Sequence, residues 1–136
     1  MRLLIPIALA ALCLLLAEGG GASSTTPLNA SPKHGHPYST YTISFKAEFA
    51  SSKATKTDYV IGAVNSTSGN CHRGISSFGK TQSGPYKVGQ TVRFVLHPKS
   101  GFCPGVFHGV AHWQKKVGDR IRDVRVGRFA FRVLSR

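Results

Sequence analysis

The chain has 136 residues, and its 18 Lys and Arg stand against five Asp and Glu, so the formal net charge is +13 at pH 7 with neutral His. This length fits one compact domain, and the positive charge favours attraction to nucleic acid, anionic cell-wall polymers or acidic glycans. A glycosidase needs two facing carboxylates, and a triad hydrolase needs a base oriented by an acid. Neither arrangement is visible among so few acids, and we therefore expect a non-catalytic protein.

Residues 1–22 have the layout of a secretory signal peptide. Arg2 comes first, an apolar run follows from Leu3 to Ala17, and small residues end the segment. The segment is too short and too early to favour a transmembrane span, so we predict a secreted, extracellular protein whose mature chain has no transmembrane segment. Cys13 lies in the apolar run and is expected to be removed with it.

Residues 23–38 are rich in Ser, Thr and Pro and show no apolar periodicity. Such a segment buries too little apolar surface to offset the entropy that is lost on ordering it. We therefore predict a disordered leader here and a single folded domain over 39–136.

The rest of the chain alternates apolar and polar residues, which is typical of β-strands. The expected strands, in chain order, lie within residues 41–49, 59–64, 74–78, 91–97, 106–113 and 128–133. Gly62 interrupts the second strand and suggests a bulge or a close backbone approach. Both faces of 106–113 are apolar, so this strand is expected inside a sheet. Six or seven short strands without a helix predict an all-β fold, an immunoglobulin-like antiparallel β-sandwich, with a small barrel as the alternative.

Two cysteines, Cys71 and Cys103, remain after export, and an even pair in a secreted protein predicts a disulfide. Closing a loop of this length stabilises the fold by roughly 3 to 4 kcal/mol in the chain-entropy model. The other interpretations are a redox pair, which is usually closely spaced, and a thiolate metal site, which needs further cysteines.

Three stretches carry a resemblance to known proteins: 89–94 with Pro98, then 103–110, then 127–133. From about Tyr41 onward the chain resembles small immunoglobulin-like domains in exported proteins of Gram-positive actinobacteria. The resemblance implies an accessory or binding module and carries over no catalytic residue. The antibody-type arrangement is absent, because Gly101 rather than Tyr stands two residues before Cys103 and Trp113 follows it.

The best candidate binding surface is a set of basic residues near the C-terminus. The set comprises Lys115, Lys116, Arg120, Arg122, Arg125, Arg128 and Arg132. Several of these occupy alternate positions on a strand and should project together, and Arg suits phosphate and carboxylate because its guanidinium binds them in a bidentate manner. We predict a monomer that uses this face, without a cofactor, to contact an anionic cell-wall polymer, a glycan or an extracellular protein. The alternative is a solvated strand face that protects a sheet edge.

Histidines suggest a second hypothesis, a zinc- or copper-binding protein or a metal-dependent enzyme. His108 and His112 share one face of a strand, and His97 could approach them across the intervening turn to complete a three-imidazole site. Gly109 occupies the position at which a zinc protease would carry its Glu. The competing interpretation is three ordinary half-buried histidines.

Overall fold

The computed structural model of the chain describes residues 27–67 and 71–135, so the predicted signal peptide lies outside the described residues. Eight strands follow one another: β1 (Asn29–Ser31), β2 (His34–Gly35), β3 (Tyr41–Lys46), β4 (Thr57–Asn65), β5 (Ser77–Gln82), β6 (Thr91–Leu96), β7 (Gly105–Val117) and β8 (Arg120–Val133). The predicted all-β class is confirmed. In the described ranges no helix is long and apolar enough to cross a membrane.

The strands form two sheets. One sheet has three strands in the order β1-β3-β6, and the other has five in the order β2-β8-β7-β4-β5. All neighbours are antiparallel except β2 and β8, which run parallel. β7 lies between β8 and β4, which confirms the interior position expected for 106–113.

The core lies between the two sheets and is rich in aromatic rings. Phe107 and Phe131 of the five-stranded sheet stack with their ring centroids 5.0 Å apart, and Tyr41 of the three-stranded sheet stacks on Phe131 at 4.4 Å. The inward residues of β3 and β6 are those that the alternation predicted: Tyr41, Ile43, Val92, Phe94 and Leu96 are all buried. Burial of this apolar surface holds the sheets together.

Each sheet contributes one fully buried tyrosine. The Tyr41 hydroxyl donates to the His36 carbonyl at 3.0 Å, and the Tyr59 hydroxyl accepts a hydrogen bond from the Phe49 N–H at 3.0 Å and donates to the Phe49 carbonyl. Desolvation by burial raises the pKa of both phenols above the ordinary value, because the charged form is excluded from the core.

Cys71 and Cys103 form the expected disulfide, with their Cα atoms 5.6 Å apart. The bridge joins the segment before β5 to the segment before β7. Next to it, the Asn65 side-chain amide donates to the carbonyls of Cys103 and Pro104, each at 3.1 Å. This end of the sandwich is therefore fixed by a covalent bond and by side-chain hydrogen bonds.

The prediction of a disordered leader over 23–38 is wrong for its described part, since β1 and β2 lie there and bring the strand count to eight rather than six or seven. Backbone hydrogen bonds order this segment: Leu28 N donates to Arg128 O at 2.7 Å, and Arg132 N donates to Lys33 O at 2.8 Å. Such bonds need no apolar periodicity, and Ala30 adds a small buried contact.

Two local predictions also need correction. The strand expected over 74–78 is β5, Ser77–Gln82, which lies further along the chain. Gly62 marks no bulge, because β4 keeps a continuous register with both of its neighbours. The register shift lies between β7 and β8, at Ala111 and His112.

Candidate functional site

The bulge in β8 decides which arginines share a face. Arg125 pairs with His112 and Arg128 pairs with Val110, so Val126 is the extra residue between these two pairs. On a regular strand, residues three apart point to opposite faces. Because the bulge adds one residue, both arginines face outward from the five-stranded sheet while Val126 remains buried in the core.

A row of cations therefore follows the outer side of β8. After Arg125 and Arg128 the outward positions are Ala130, opposite His108, and Arg132, opposite Val106. All four β8 residues are exposed. In the described part of the chain the single contact within ion-pair distance joins His112 Nδ1 to Asp123 Oδ2 at 3.1 Å, so no carboxylate pairs with these arginines there.

Beside this row, the outer face of the sheet has an apolar floor with little side-chain cover. Gly62 of β4 lies directly opposite Gly79 of β5, and Val110 of β7 is the next outward residue across the sheet. Val64, on the same face, is 61% exposed. A Cβ built on Gly62 or Gly79 would meet its nearest atom at 3.5 or 3.7 Å, an ordinary contact, so the fold does not require glycine at either position.

The floor, Arg125 and Arg128 line one open groove of about 1140 Å³. Leu28 and Lys33 bound the groove on the β8 side, where the segment that leads through β1 and β2 hydrogen-bonds to β8. Lys33 thus joins the cationic side, although it belongs to the segment that was predicted to be a disordered leader. Its position depends on backbone pairing, for which the sequence gives no signal.

Outward positions of β4, β5, β7 and β8 carry no Phe, Tyr or Trp within the described register. Phe129, which also borders the groove, is an inward residue with 4% exposure. His108 is the one ring among the outward residues that line the groove, so stacking of several successive bases is unsupported on this face. Its chemistry is that of cations and one imidazole beside aliphatic side chains and bare backbone.

The seven predicted basic residues do not form one surface. Lys115 pairs with Arg122 and Val117 pairs with Arg120, which places Lys115, Arg120 and Arg122 on the same side of the β7–β8 hairpin as the core-facing Trp113. Lys116 is on the outer side, four residue pairs beyond His112 and Arg125. Of the seven, only Arg125 and Arg128 line the groove, and Arg132 continues the same outward row of β8.

The three histidines of the metal hypothesis are not brought together. His97 follows β6 in the three-stranded sheet, where its Nδ1 lies 3.0 Å from Thr40 Oγ1, whereas His108 and His112 face outward from the other sheet. Two strand residues four apart are separated by about 13 Å, too far for both imidazoles to bind one ion directly. Across the described residues, no cluster of three His, Cys, Asp or Glu side chains is arranged to hold a metal ion.

The His112–Asp123 pair lies at the end of the groove that is nearer the hairpin. The two atoms are within ion-pair distance but lack hydrogen-bond geometry. Asp123 also places a negative charge beyond Arg125, so an anionic ligand is favoured from Arg125 toward Arg132 and disfavoured toward the hairpin.

Comparison with known proteins identifies no relative of this chain. No family model matches the chain, and neither the curated proteins nor the solved structures show a significant match.

Proposed function

We propose that this protein is an exported, non-catalytic binding module that holds an anionic polymer against the outer face of its five-stranded sheet. The observation that carries the proposal is the outward row of Arg125, Arg128 and Arg132, of which the first two line an open groove and none has a carboxylate partner in the described chain. Guanidinium groups that lack an internal partner are available to phosphate or carboxylate groups of a ligand.

Two further parts of the proposal concern fold type and location. The strand order supports an immunoglobulin-type sandwich, because β1 and β2 together act as one first strand divided between the two sheets, and β4, β7 and β8 form the centre of the second sheet. The disulfide supports an oxidising, extracellular location. The signal-peptide layout of residues 1–22 supports the same location.

The test compares two variants that each remove three positive charges. The first is Arg125→Gln with Arg128→Gln and Arg132→Gln, and the second is Lys115→Gln with Lys116→Gln and Arg120→Gln on the hairpin. Binding of the purified, disulfide-bonded protein to poly(glycerol phosphate), polyglutamate and heparin is measured by titration at several salt concentrations.

We expect the first variant to lose at least about tenfold in affinity for its best polymer, and its slope of log K against log salt to fall by about two, as three lost phosphate contacts imply. The hairpin variant should lose less than about threefold, because screening weakens charges more than about 8 Å from the ligand. Equal losses in the two variants would show that only net charge matters and would refute the proposed site.

A further inference from the structure

We infer that the polymer is a polyol phosphate, a chain in which phosphodiester groups are separated by three carbons, and that it runs along β8. This inference rests on the proposed function, because it names the ligand of the same face. The carrying observation is the spacing of positive charges along the groove.

Outward side chains on a strand recur every second residue, at intervals of about 7 Å. Arg125 and Arg128 lie at neighbouring outward positions, because their partners His112 and Val110 are two residues apart on β7. Arg132 lies two positions further on, about 13 Å from Arg128. The intervening outward position belongs to Ala130, and it is the one gap in the row.

Lys33 lies beside this gap. Its carbonyl accepts the Arg132 N–H at 2.8 Å, and Lys33 borders the same groove as Ala130. The ammonium is carried on a flexible four-carbon stem, so it can serve a ligand charge at the level of Ala130. Positive charge therefore recurs along the outward row of β8 at about 7 Å or twice that interval, and Lys33 can reach the longer interval from the side without occupying it.

The repeat of the row matches a particular polymer backbone. Two residues of an extended chain contain six backbone bonds and span about 7 Å. A phosphodiester linked through three carbons also has six bonds per negative charge, counted through one phosphorus, two ester oxygens and three carbons, so its extended repeat is about the same. An extended polyglutamate also presents carboxylates on one face at intervals of about 7 Å, but every second carboxylate points away from the row, whereas each phosphate lies in the polyol backbone itself and can face the row. In a polyuronate the rigid sugar ring sets the spacing.

The side chains next to the row fit the uncharged part of such a ligand. Val106 and Val110 are the outward β7 partners of Arg132 and Arg128, and they can contact the methylene and methine groups between phosphates. Single-stranded nucleic acid has the same six-bond repeat, but it gains affinity from stacking successive bases on aromatic side chains, and His108 is the one ring among the outward residues that line the groove. The face therefore favours a polymer without bases.

The experiment fills the gap in the row. Ala130→Arg adds a charge within the row, and Thr42→Arg adds one at an outward position of the three-stranded sheet. Both variants and the parent chain are titrated with poly(glycerol phosphate), with polyglutamate of equal total charge and with oligothymidylate. Thermal unfolding checks that each variant is folded, and the comparison of polymers on the parent chain does not depend on the variants.

We expect Ala130→Arg to bind poly(glycerol phosphate) about fivefold more tightly than the parent, and Thr42→Arg to change the affinity by less than about twofold. The parent should bind polyglutamate at least about tenfold more weakly than poly(glycerol phosphate). Equal affinity for these two polymers, or equal gains in the two variants, would overturn the inference. Binding of oligothymidylate more tightly than poly(glycerol phosphate) would show that the ligand is a nucleic acid and not a polyol phosphate.

The inference and the proposed function fail in different ways. If removal of Arg125, Arg128 and Arg132 weakens binding but the parent does not discriminate among the polymers, the binding face stands and the polyol phosphate is wrong. If their removal has no more effect than removal of the hairpin charges, the face itself is wrong.

Discussion

The outer faces of the two sheets are built from different kinds of side chain. On the three-stranded sheet the outward residues are mostly polar and bond to one another: Asn29 Nδ2 donates to Ser44 Oγ at 3.3 Å, and Lys46 Nζ donates to Thr91 Oγ1 at 3.2 Å. On the five-stranded sheet, Arg125 borders an apolar floor and has no carboxylate partner in the described chain. Arg93, on the first face, likewise has no carboxylate partner in the described chain, so the two faces differ in the apolar floor beside the cations and not in the pairing of the cations.

Glycine positions on the two sides of the five-stranded sheet sharpen this contrast. Gly109 faces the core, and a Cβ there would lie only 2.2 Å from Cζ of the buried Phe129. Gly62 faces the groove and has room for a Cβ. The inward glycine is thus required by packing, and the outward one is not.

The largest effect on stability is expected for Gly109→Ala. Overpacking against Phe129 should lower the free energy of unfolding by up to about 3 kcal/mol. Gly62→Ala is the matched control and should raise the free energy of unfolding by about 0.5 to 1 kcal/mol, because Gly is unfavourable inside a strand. Denaturant titration of both variants measures the difference. A loss of stability in Gly62→Ala as large as that in Gly109→Ala would mean that the groove floor is needed for the fold.

The inner face of each sheet carries one fully buried tyrosine, and a pH experiment tests this shared feature. Burial raises the folded-state pKa of Tyr41 and Tyr59 above the unfolded value of about 10. The stability that each neutral phenol contributes is therefore fully present below pH about 10 and is lost as the pH rises through the folded pKa. Over that range, stability should fall by about 1.4 kcal/mol per pH unit for each tyrosine.

Tyr59→Phe should cost about 1 to 2 kcal/mol at pH 7, because it removes the hydrogen bonds to Phe49, and it should make the alkaline decline less steep. Tyr41→Phe should reduce the decline in the same way, since it removes the phenol of the other sheet. Urea unfolding between pH 8 and pH 11 measures both effects. These limits lie on either side of the ordinary tyrosine pKa of about 10. An alkaline decline of unchanged slope in both variants would contradict the assignment.

The smallest effect is expected on the polar outer face. Lys46→Gln with Arg93→Gln removes two charges there, and affinity for poly(glycerol phosphate) should fall by less than about threefold because these charges are far from the groove and screened. Arg125→Gln with Arg128→Gln is the control with equal charge loss. If the two double variants lose the same affinity for poly(glycerol phosphate), the difference between the two outer faces does not affect binding.

Alternation in the sequence predicted much of the fold but only part of the candidate site. Phe129, Phe131 and Val133 are inward, as their spacing indicated, and Arg128 and Arg132 are therefore outward. Arg125 could not be assigned to this face, because its odd separation from Arg128 is corrected only by a bulge that depends on pairing with β7.

Lys33 and Gly79 show two other limits of sequence analysis. Lys33 is positioned by backbone hydrogen bonds, which leave no pattern in side-chain type. Gly79 lies in β5, an edge strand whose residues do not alternate in burial, so period-two analysis placed the strand too early. Both residues border the groove, and both became visible only through the register of β-strands.

The central claim is that ligand binds the outer face of the five-stranded sheet, and amide chemical-shift mapping by NMR tests it most directly. Titration with poly(glycerol phosphate) should shift the amides of Arg125, Arg128, Ala130, Arg132 and Gly62, and should leave those of β3 and β6 unchanged. Shifts confined to the three-stranded sheet or the hairpin, or spread evenly over all exposed lysines and arginines, would contradict the claim.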